Sequence, residues 1–569
     1  MRIETENMNL TGFRVEANST ASGQNMISLV GGSTTETGIA SFNFTGASAL
    51  YKVVVGYFDE SDGASQFEFW QKDAIVDAWS ANQNFGSAFA NRQTRTLRTL
   101  ATQLSVSQGD KFQLKATEDA GEPARVDFIE FVPVTLPATS TIINGTSGND
   151  RLVGNGRNNT LNGFAGNDIL EGRGGNNTLN GGIGIDTADY TKAFNGIIAN
   201  LKTGTVLRPV FGTTTPKVMP LGDSITAGRH NVEPTPGTYR IQLWKNLLAD
   251  NLSVDFVGSQ FNGPPSLGDK NHEGHGGWTI DQITGLVNQG VIKTYQPQMI
   301  LLMIGTNDVL RANSLKEITS DLSNLIDRIS SESSNTRIFV SSIAPIDPAY
   351  KGPTRANLAN DVNALLPDLV QDKVAQGKKV TFVNAGGSLS LNDLVPDGVH
   401  PSVAGYNKIG NAWYDTLVKR DTLTGIENLI GSNFADKLTG DAGNNTLRGG
   451  LGKDTLTGGG GADNFFYKEP REGGDFITDF SSNDRLTISS SGFGSSLVRG
   501  VKLSTTAADT GVFVSGSNPT PLSSSANFLY NTNTGVLQFD ADGIGLGSAT
   551  TIATLAGVPS LSATQFYIS

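Results

Sequence analysis

The sequence predicts a multidomain chain in which one α/β/α domain is set among all-β modules. Three observations carry that reading. Residues 208–420 alternate short apolar strands with amphipathic helices, residues 145–189 and 431–466 repeat with an unbroken period of nine, and residues 1–134 read as short strands separated by Gly, Asn and Ser. At 569 residues the chain is long enough for three or four domains, each with its own core.

The first module is expected over 1–137. Phe42–Phe44, Lys52–Phe58, Phe67–Trp70 and Arg125–Phe131 alternate or are β-branched, which suits a β-sandwich. The Pro133–Pro137 segment ends it. The repeats come next. In nines they read GTSGNDRLV, GNGRNNTLN, GFAGNDILE, GRGGNNTLN and GGIGIDTAD, then GSNFADKLT, GDAGNNTLR, GGLGKDTLT and GGGGADNFF. Glycines permit a tight turn whose carbonyls converge, and Asp adds a hard anionic oxygen suited to calcium. One apolar residue per unit, such as Leu152, Leu161, Leu170 and Leu179, points inward and stacks.

The pattern is that of a parallel β-roll. Two nonapeptides make one coil, so residues eighteen apart share an edge. Asp150, Asp168 and Asp186 then line one edge of the first block, with Asn159 and Asn177 opposite. Carboxylates hold calcium better than amides, so the Asp edge is expected to be calcium-rich and the Asn edge weak or empty. In the second block Asp436 and Asp454 share an edge opposite Asn445 and Asp463.

Within 208–420, strands are expected at 218–221, 254–257, 299–304, 338–343 and 380–383, and helices at 239–250, 280–295, 315–331, 357–375 and 403–418. Alternation of this kind builds a parallel sheet with functional residues at C-terminal strand ends. Residues 467–569 lack helical periodicity and contain strand-like runs at 475–480 and 536–540.

Composition narrows the function. A net charge of −12 with no basic cluster argues against nucleic acid as a partner, because phosphate neutralisation needs grouped Lys and Arg. No run approaches the ~18 apolar residues of a membrane span. Zero cysteines leave metal rather than disulfides as the device for stabilising glycine-rich coils. The start, Met1–Glu6, has no apolar core of a cleaved leader.

The chemistry sits in four blocks: Leu221–Thr226 (LGDSIT), His272–Trp278 (HEGHGGW), Gly305–Asp308 (GTND), and Asp397 with His400. A serine hydroxyl needs a base within hydrogen-bond reach. The chain has four histidines, namely His230, His272, His275 and His400. His400 is the candidate base, with Asp397 orienting its ring. There is no P-loop and no HExxH zinc motif. Asp223 reads as a loop brace or a substrate contact, as does Asp308. His272 and His275 read as structural or substrate-facing, and Trp278 as packing or a sugar platform.

These blocks resemble those of the SGNH, or GDSL, hydrolases, and the segments 219–226, 255–259 and 272–278 are most similar to acetylxylan esterase-type carbohydrate esterases. The resemblance implies a flavodoxin-like α/β/α fold, a Ser224–His400–Asp397 triad, and an oxyanion hole from the Ser224 and Gly277 N–H groups and the Asn307 amide, glycine at 277 allowing close backbone approach. Asp223, His275 and Trp278 are the candidate substrate contacts. The repeats resemble RTX proteins, which implies structural Ca2+ at Asp150, Asp168, Asp186, Asp436, Asp454 and Asp463, no catalytic metal, and export by type I secretion machinery with the signal in 467–569. The first module resembles β-sandwich carbohydrate-binding modules, which implies calcium at Glu6 and Asp127. Trp79 and Trp70 are then either sugar platforms or core residues.

The expected modules are 1–137, 138–207 (first repeat block and connector), 208–420 (hydrolase), 421–466 (second repeat block) and 467–569 (cap). The expected function is a secreted esterase removing acyl groups, acetyl foremost, from a polysaccharide. The alternatives are a lipase or lysophospholipase of the same family, or a surface adhesin without activity. Finally, the resemblance to RTX proteins, in which stretches like Gly196–Gly204 and Asp421–Gly431 sit a few residues apart, implies that the two are halves of one connector. The hydrolase is therefore expected to be inserted into a single roll, with residues near Leu207 and Arg420 as neighbours.

Overall fold

The computed structural model describes residues 1–569 except 30–35, 47–48, 60–64, 73, 82–89, 91–93, 107–108, 119–123, 134–140, 229–237 and 495. The expected boundary at residue 137 and His230 lie outside the described residues. The chain forms two compact units, one made of Met1–Arg208 with Arg420–Ser569, the other of Pro209–Lys419.

In the first unit, residues 1–133 form two facing sheets. One contains strands Phe13–Ala17, Asn25–Leu29, Arg125–Pro133, Ala49–Phe58 and Arg95–Val106, with Arg2–Glu4 paired to Arg125–Pro133. The other orders Asn9–Thr11, Thr37–Asn43, Lys111–Thr117, Gln66–Gln71 and Ala74–Ser80. Alternation dictates the interior: Phe67, Phe69, Phe112, Leu114, Val53 and Val55 point inward and are buried. Their rings interlock, Phe69 stacking on Phe112 at 5.4 Å and Phe112 meeting Phe131 edge-on at 5.1 Å.

The repeats form a β-roll. Short parallel strands stack in register, Thr160–Ala165 on Thr178–Ile183 and Arg151–Val153 on Ile169–Glu171. Leu152, Leu161, Leu170, Leu179, Leu429, Leu438, Leu447 and Leu456 share one core and are at most 1% exposed. Each such leucine contributes about 1.5–3 kcal/mol of burial, which rewards strict phase.

Both repeat blocks belong to that one roll. Strand Thr187–Asp189 pairs with Asn428–Ile430, which pairs with Thr446–Arg448. On the other face, Thr178–Ile183 pairs with Val418–Thr424. Next come Thr205–Pro209 and Ile198–Asn200, an antiparallel hairpin, before Lys437–Thr439. Arg208 lies 2.8 Å from Asp421, and the Arg420 N–H donates to Asn176 at 3.0 Å. The roll also continues past residue 466. Asp475–Ile477 stacks on Thr455–Thr457, Arg485–Ile488 on Asn464–Tyr467, and Phe566–Ile568 on Arg485–Ile488.

The second unit is an α/β/α layer. Strands Asn271–Gly274, Lys217–Gly222, Met299–Met303, Arg337–Ser341 and Val380–Val383 run parallel in that order. All five residues of Met299–Met303 are buried, as expected of a central strand covered on both faces. Helices Thr238–Ala249, Leu315–Glu332, Pro353–Ala375 and Val403–Leu417 match the periodic segments. The segment expected as one helix over 280–295 is two, Ile280–Asn288 and Val291–Tyr295. Gly290 adopts φ +87° between them, a left-handed conformation that ends the first helix. The chain leaves Lys217–Gly222 with neighbours on both sides, so its C-terminal end is the topological switch point where such sheets place ligands.

Candidate active site and calcium edges

One residue, Asp223, separates that strand from Ser224, which opens the short helix Ser224–Ala227. Its Oγ lies 2.8 Å from His400 Nε2. His400 Nδ1 lies 2.6 Å from Asp397 Oδ2. The other carboxylate oxygen, Oδ1, accepts the Val399 N–H at 2.9 Å and the His400 N–H at 3.0 Å. Burial alone would raise the Asp397 pKa, but these N–H donors and the imidazole hold it below the usual carboxylate value. It is thus built to stay ionised beside the ring.

The loop 275–278 faces the nucleophile. A Cβ added at Gly276 would stand 4.0 Å from Ser224 Cβ. Gly277 is exposed, adopts φ +80°, and a Cβ there would meet nothing within 4 Å. The residue is therefore suited to glycine by its left-handed backbone, not by the close approach expected of it. Its carbonyl accepts from Arg311 at 3.1 Å. Asn307 Nδ2 donates to the Trp278 carbonyl at 2.9 Å, which leaves its second N–H for another acceptor.

His275 and Trp278 stack at 4.1 Å, and His275 Nε2 lies 2.7 Å from Glu273 Oε1. Glu273 is fully buried and also accepts from Ser259 N and Oγ at 2.6 and 2.7 Å. Burial works against its ionised form, yet these donors hold its pKa low. Reasoning from sequence passed over Glu273 and Arg311. The first lies inside the HEGHGGW block, while nothing local marks the second.

Two neighbours are braces. Asp223 is 1% exposed and caps the Ser224 helix through Ile225 N–H at 2.9 Å. Buried there, it cannot touch a substrate, which corrects the contact expected of it; burial pushes its pKa up to about 7. Asp308, also buried, accepts the Ile280 N–H and is pushed up to about 6 by burial. His272 is structural, its Nδ1 accepting the Gly274 N–H at 3.0 Å while burial lowers its pKa to about 3.

On the roll, each sixth-position residue donates its N–H to the sixth side chain one coil on. Asp150 donates to Asp168 and Asp168 to Asp186, both at 2.7 Å. Asn159 donates to Asn177 at 3.0 Å, Asp436 to Asp454 at 2.8 Å, and Asn445 to Asp463 at 2.9 Å. Both ladders include acids that the nine-residue count misses. Glu427 follows Asp186, Asp421 follows Asn177, Asp475 follows Asp454 and Asp484 follows Asp463.

The oxygens at the Asp edges fit a hard cation. Asp168, Asp186, Asp454 and Asp475 each keep one buried carboxylate oxygen with no hydrogen-bond donor. Turn carbonyls stand beside these acids. A Cβ at Gly163 would fall 2.1 Å from Asp168 Oδ2 and 2.5 Å from the Gly181 carbonyl. Burial lifts Asp168 to about 7 and Asp454 to about 9, so these acids resist ionising without a countercharge. Among the described residues no cluster of three or more acids or histidines is gathered for a metal, so backbone carbonyls would complete each coordination shell.

The sandwich fits its expected calcium less well. Glu6 keeps one buried oxygen without a donor, but Asp127 Oδ1 accepts from Ser22 and its Oδ2 is 2.6 Å from Arg95. Trp79 is corrected outright. It is 7% exposed and part of the sandwich core, stacked on Phe67 at 5.0 Å, so it offers no free face to a sugar. Trp70 is half-buried with Lys115 Nζ 3.8 Å above its ring.

Comparison with known proteins finds matches in both parts of the chain. Residues 221–408 match the GDSL-like Lipase/Acylhydrolase family, and residues 144–179, 154–188 and 430–465 match the RTX calcium-binding nonapeptide repeat. A multidomain esterase of Ruminococcus flavefaciens is 31% identical over 224 residues, which span 35% of this chain and 28% of that protein. A putative endoglucanase X of Acetivibrio thermocellus is 36% identical over 138 residues, 24% of this chain and 56% of that one. The matches thus span well under two thirds of these relatives. A solved Clostridium thermocellum family 3 carbohydrate esterase aligns at 41% identity and a TM-score of 0.32, covering 36% of this chain and 94% of that one. The chain therefore carries a GDSL-like acylhydrolase domain together with RTX calcium-binding repeats.

Proposed function

We propose that the protein is an extracellular serine esterase that removes acetyl groups from a polysaccharide. The observation that carries this reading is the continuous Ser224–His400–Asp397 hydrogen-bond chain at the end of the first sheet strand. Ser224 Oγ attacks the ester carbonyl carbon as His400 Nε2 takes its proton, and Asp397 stabilises the imidazolium. The negative oxygen accepts from Ser224 N–H, Gly277 N–H and Asn307 Nδ2. The C–O bond to the sugar then breaks, and His400 returns the proton to the leaving alkoxide. Water, deprotonated by the same imidazole, attacks acyl-Ser224, releasing acetate and the serine. The His275–Trp278 stack lines the approach to the nucleophile and is a substrate contact.

Calcium, when bound, neutralises the buried aspartates of the roll and so fixes its coils. Asp150, Asp168, Asp186, Asp436, Asp454 and Asp463 would hold it with turn carbonyls, and the sandwich acids Glu6 and Asp127 are a further proposed site. The relatives' names, an esterase and a putative endoglucanase, support a carbohydrate ester. The RTX repeats support an extracellular location and passage through type I secretion machinery, with residues 467–569 as the signal. The modules proposed are those of the sequence reading, except that the roll runs on past residue 466 and includes Arg208 and Arg420, with the hydrolase inserted into it. A panel of esters on the calcium-loaded chain tests the function. Acetate should be released from acetylated xylan, and turnover of p-nitrophenyl esters should fall as the acyl chain lengthens. Preference for long acyl chains would point to a lipase, and no turnover of any ester would point to an adhesin.

A further inference from the structure

One rung of the roll is built unlike the others. Asp421 is the sixth-position residue of its coil, since Thr422 and Leu423 pair with Thr178 and Leu179. Its coil has no glycine turn, because the chain enters strand Val418–Thr424 straight from helix Val403–Leu417. Arg208 reaches into the space where that turn would be. Its guanidinium donates to the carbonyls of Arg173 and Gly175 and to Asp421 Oδ1 at 2.8 Å. Arg173 and Gly175 are the second and fourth residues of the nonapeptide GRGGNNTLN. The oxygens that Arg208 gathers are thus turn carbonyls plus the sixth-position acid of the next coil.

Donor accounting separates this rung from four other acids of the roll. Asp168, Asp186, Asp454 and Asp475 each keep a buried oxygen without a donor. Asp421 keeps none. Its Oδ1 accepts from Asn177 N, Asn177 Nδ2 and Arg208 Nη2, and its Oδ2 accepts from the Tyr190 hydroxyl at 3.1 Å. The Asp421 side chain is fully buried and the Arg208 side chain is 13% exposed, so the pair is shielded from water. A calcium ion here would meet N–H groups rather than lone pairs.

We infer that Arg208 is the resident cation of this rung, standing where rungs such as those of Asp168 and Asp454 offer room to calcium, so that the coil at which the chain leaves and re-enters the roll closes without metal. A planar guanidinium suits the task, because its fork reaches two carbonyls and a carboxylate at once. Asp168, Asp186, Asp454 and Asp475 await a cation from solution, whereas the two ends of the inserted segment are held by a charge the chain carries itself.

Hydrogen exchange on the full chain, with calcium and after chelation by EGTA, tests this. The Asn177 N–H donates to Asp421 and the Thr422 N–H to the Asn177 carbonyl at 2.8 Å, so peptides holding these amides report the rung. Peptides holding Asp150 and Asp168 report the calcium edge. Chelation should cut protection at Asp150 and Asp168 by about tenfold or more and leave Asn177 and Thr422 unchanged. In Arg208→Ala the Asn177 and Thr422 amides should lose about 100-fold in chelator, since a buried carboxylate is stranded. They should regain protection when calcium enters the vacated oxygens. Equal losses at both sets of amides in the wild-type chain would overturn the inference, as would an Arg208→Ala chain that ignores chelation or one that calcium fails to restore. The wild-type comparison needs no variant and can overturn the inference even where Arg208→Ala does not fold.

Discussion

Asp397→Asn isolates what the proposed triad asks of its acid. The two carboxylate oxygens have separate tasks, Oδ1 accepting the Val399 and His400 N–H groups at 2.9 and 3.0 Å, and Oδ2 facing His400 Nδ1 at 2.6 Å. An asparagine keeps its oxygen on the two backbone donors, which can bond nothing else, and turns its NH2 toward Nδ1. That donor requires Nδ1 to be the acceptor, so the ring proton moves to Nε2. Nε2–H then faces Ser224 Oγ at 2.8 Å as a donor and cannot take the hydroxyl proton. The turn survives while the base is disabled. We expect kcat to fall about 10⁴-fold, close to 5 kcal/mol at ~1.36 kcal/mol per tenfold, with KM and melting temperature nearly unchanged. Steady-state kinetics on an acetyl ester, with calorimetry on the same samples, reads both quantities. If Asp397 only braces the turn before Gly398, asparagine serves equally well; kcat above about a tenth of wild type would refute the tautomer argument.

Ser224→Ala should abolish ester turnover without lowering the melting temperature, and a serine-directed phosphonate should label Ser224 and no other residue; labelling elsewhere would remove Ser224 as nucleophile. Asp168→Asn should weaken calcium binding, measured by titration calorimetry, far more than Asn177→Ala, because only Asp168 has a buried oxygen awaiting a cation; equal effects would refute the two-edge reading. The Asp223 carboxyl, pushed up to about 7 by burial, ionises near 3.9 when unfolded. Its neutral form is thus the one the fold prefers, and its stabilising contribution is complete below pH ~4 and lost as pH rises through about 7. Asp223→Asn, neutral throughout, should gain melting temperature on wild type between pH 5 and 8; a difference that stays constant over that range would show that Asp223 does not titrate there.

Local patterns in the sequence mark the hydrolase fold and its triad. Strand–helix alternation over 208–420 yields a parallel sheet because period-2 and period-3.6 burial leave different marks on neighbouring residues, and Ser224, Asp397 and His400 sit in short motifs whose spacing is their geometry. The split at Gly290 escaped because a lone glycine in an apolar periodic run is compatible with a continuous helix. Trp79 was ambiguous because alternation assigns faces of a strand without saying which face is dry. The acids Asp475 and Asp484 were invisible to a count of nine because their coils are longer, the ladder stepping by 21 residues instead of 18.

The remaining partners are separated by the whole hydrolase. Glu427 takes its place beside Asp186 across 241 residues, and Arg208 meets Asp421 across 213. No periodicity reaches so far, yet the roll resumes in phase. Leu423 lands opposite Leu179 and Leu429 opposite Ala188, both pointing into the core. A slip of one residue at re-entry would turn both outward, since strand side chains alternate. The leucine stack also resists a shift of two, which would set Asp421 or Gly425 opposite Leu179 in place of Leu423. Asp421 is singular at that point. It must meet Arg208, Asn177 and Tyr190 together, and a shift of two residues would put Lys419 or Leu423 in its position. A cation beside Arg208, or an apolar chain without an acceptor, leaves the guanidinium unpaired in a largely dry site. The clasp that closes the insertion thus adds a polar constraint to the leucine stack in fixing the register in which the second half of the roll is laid on the first.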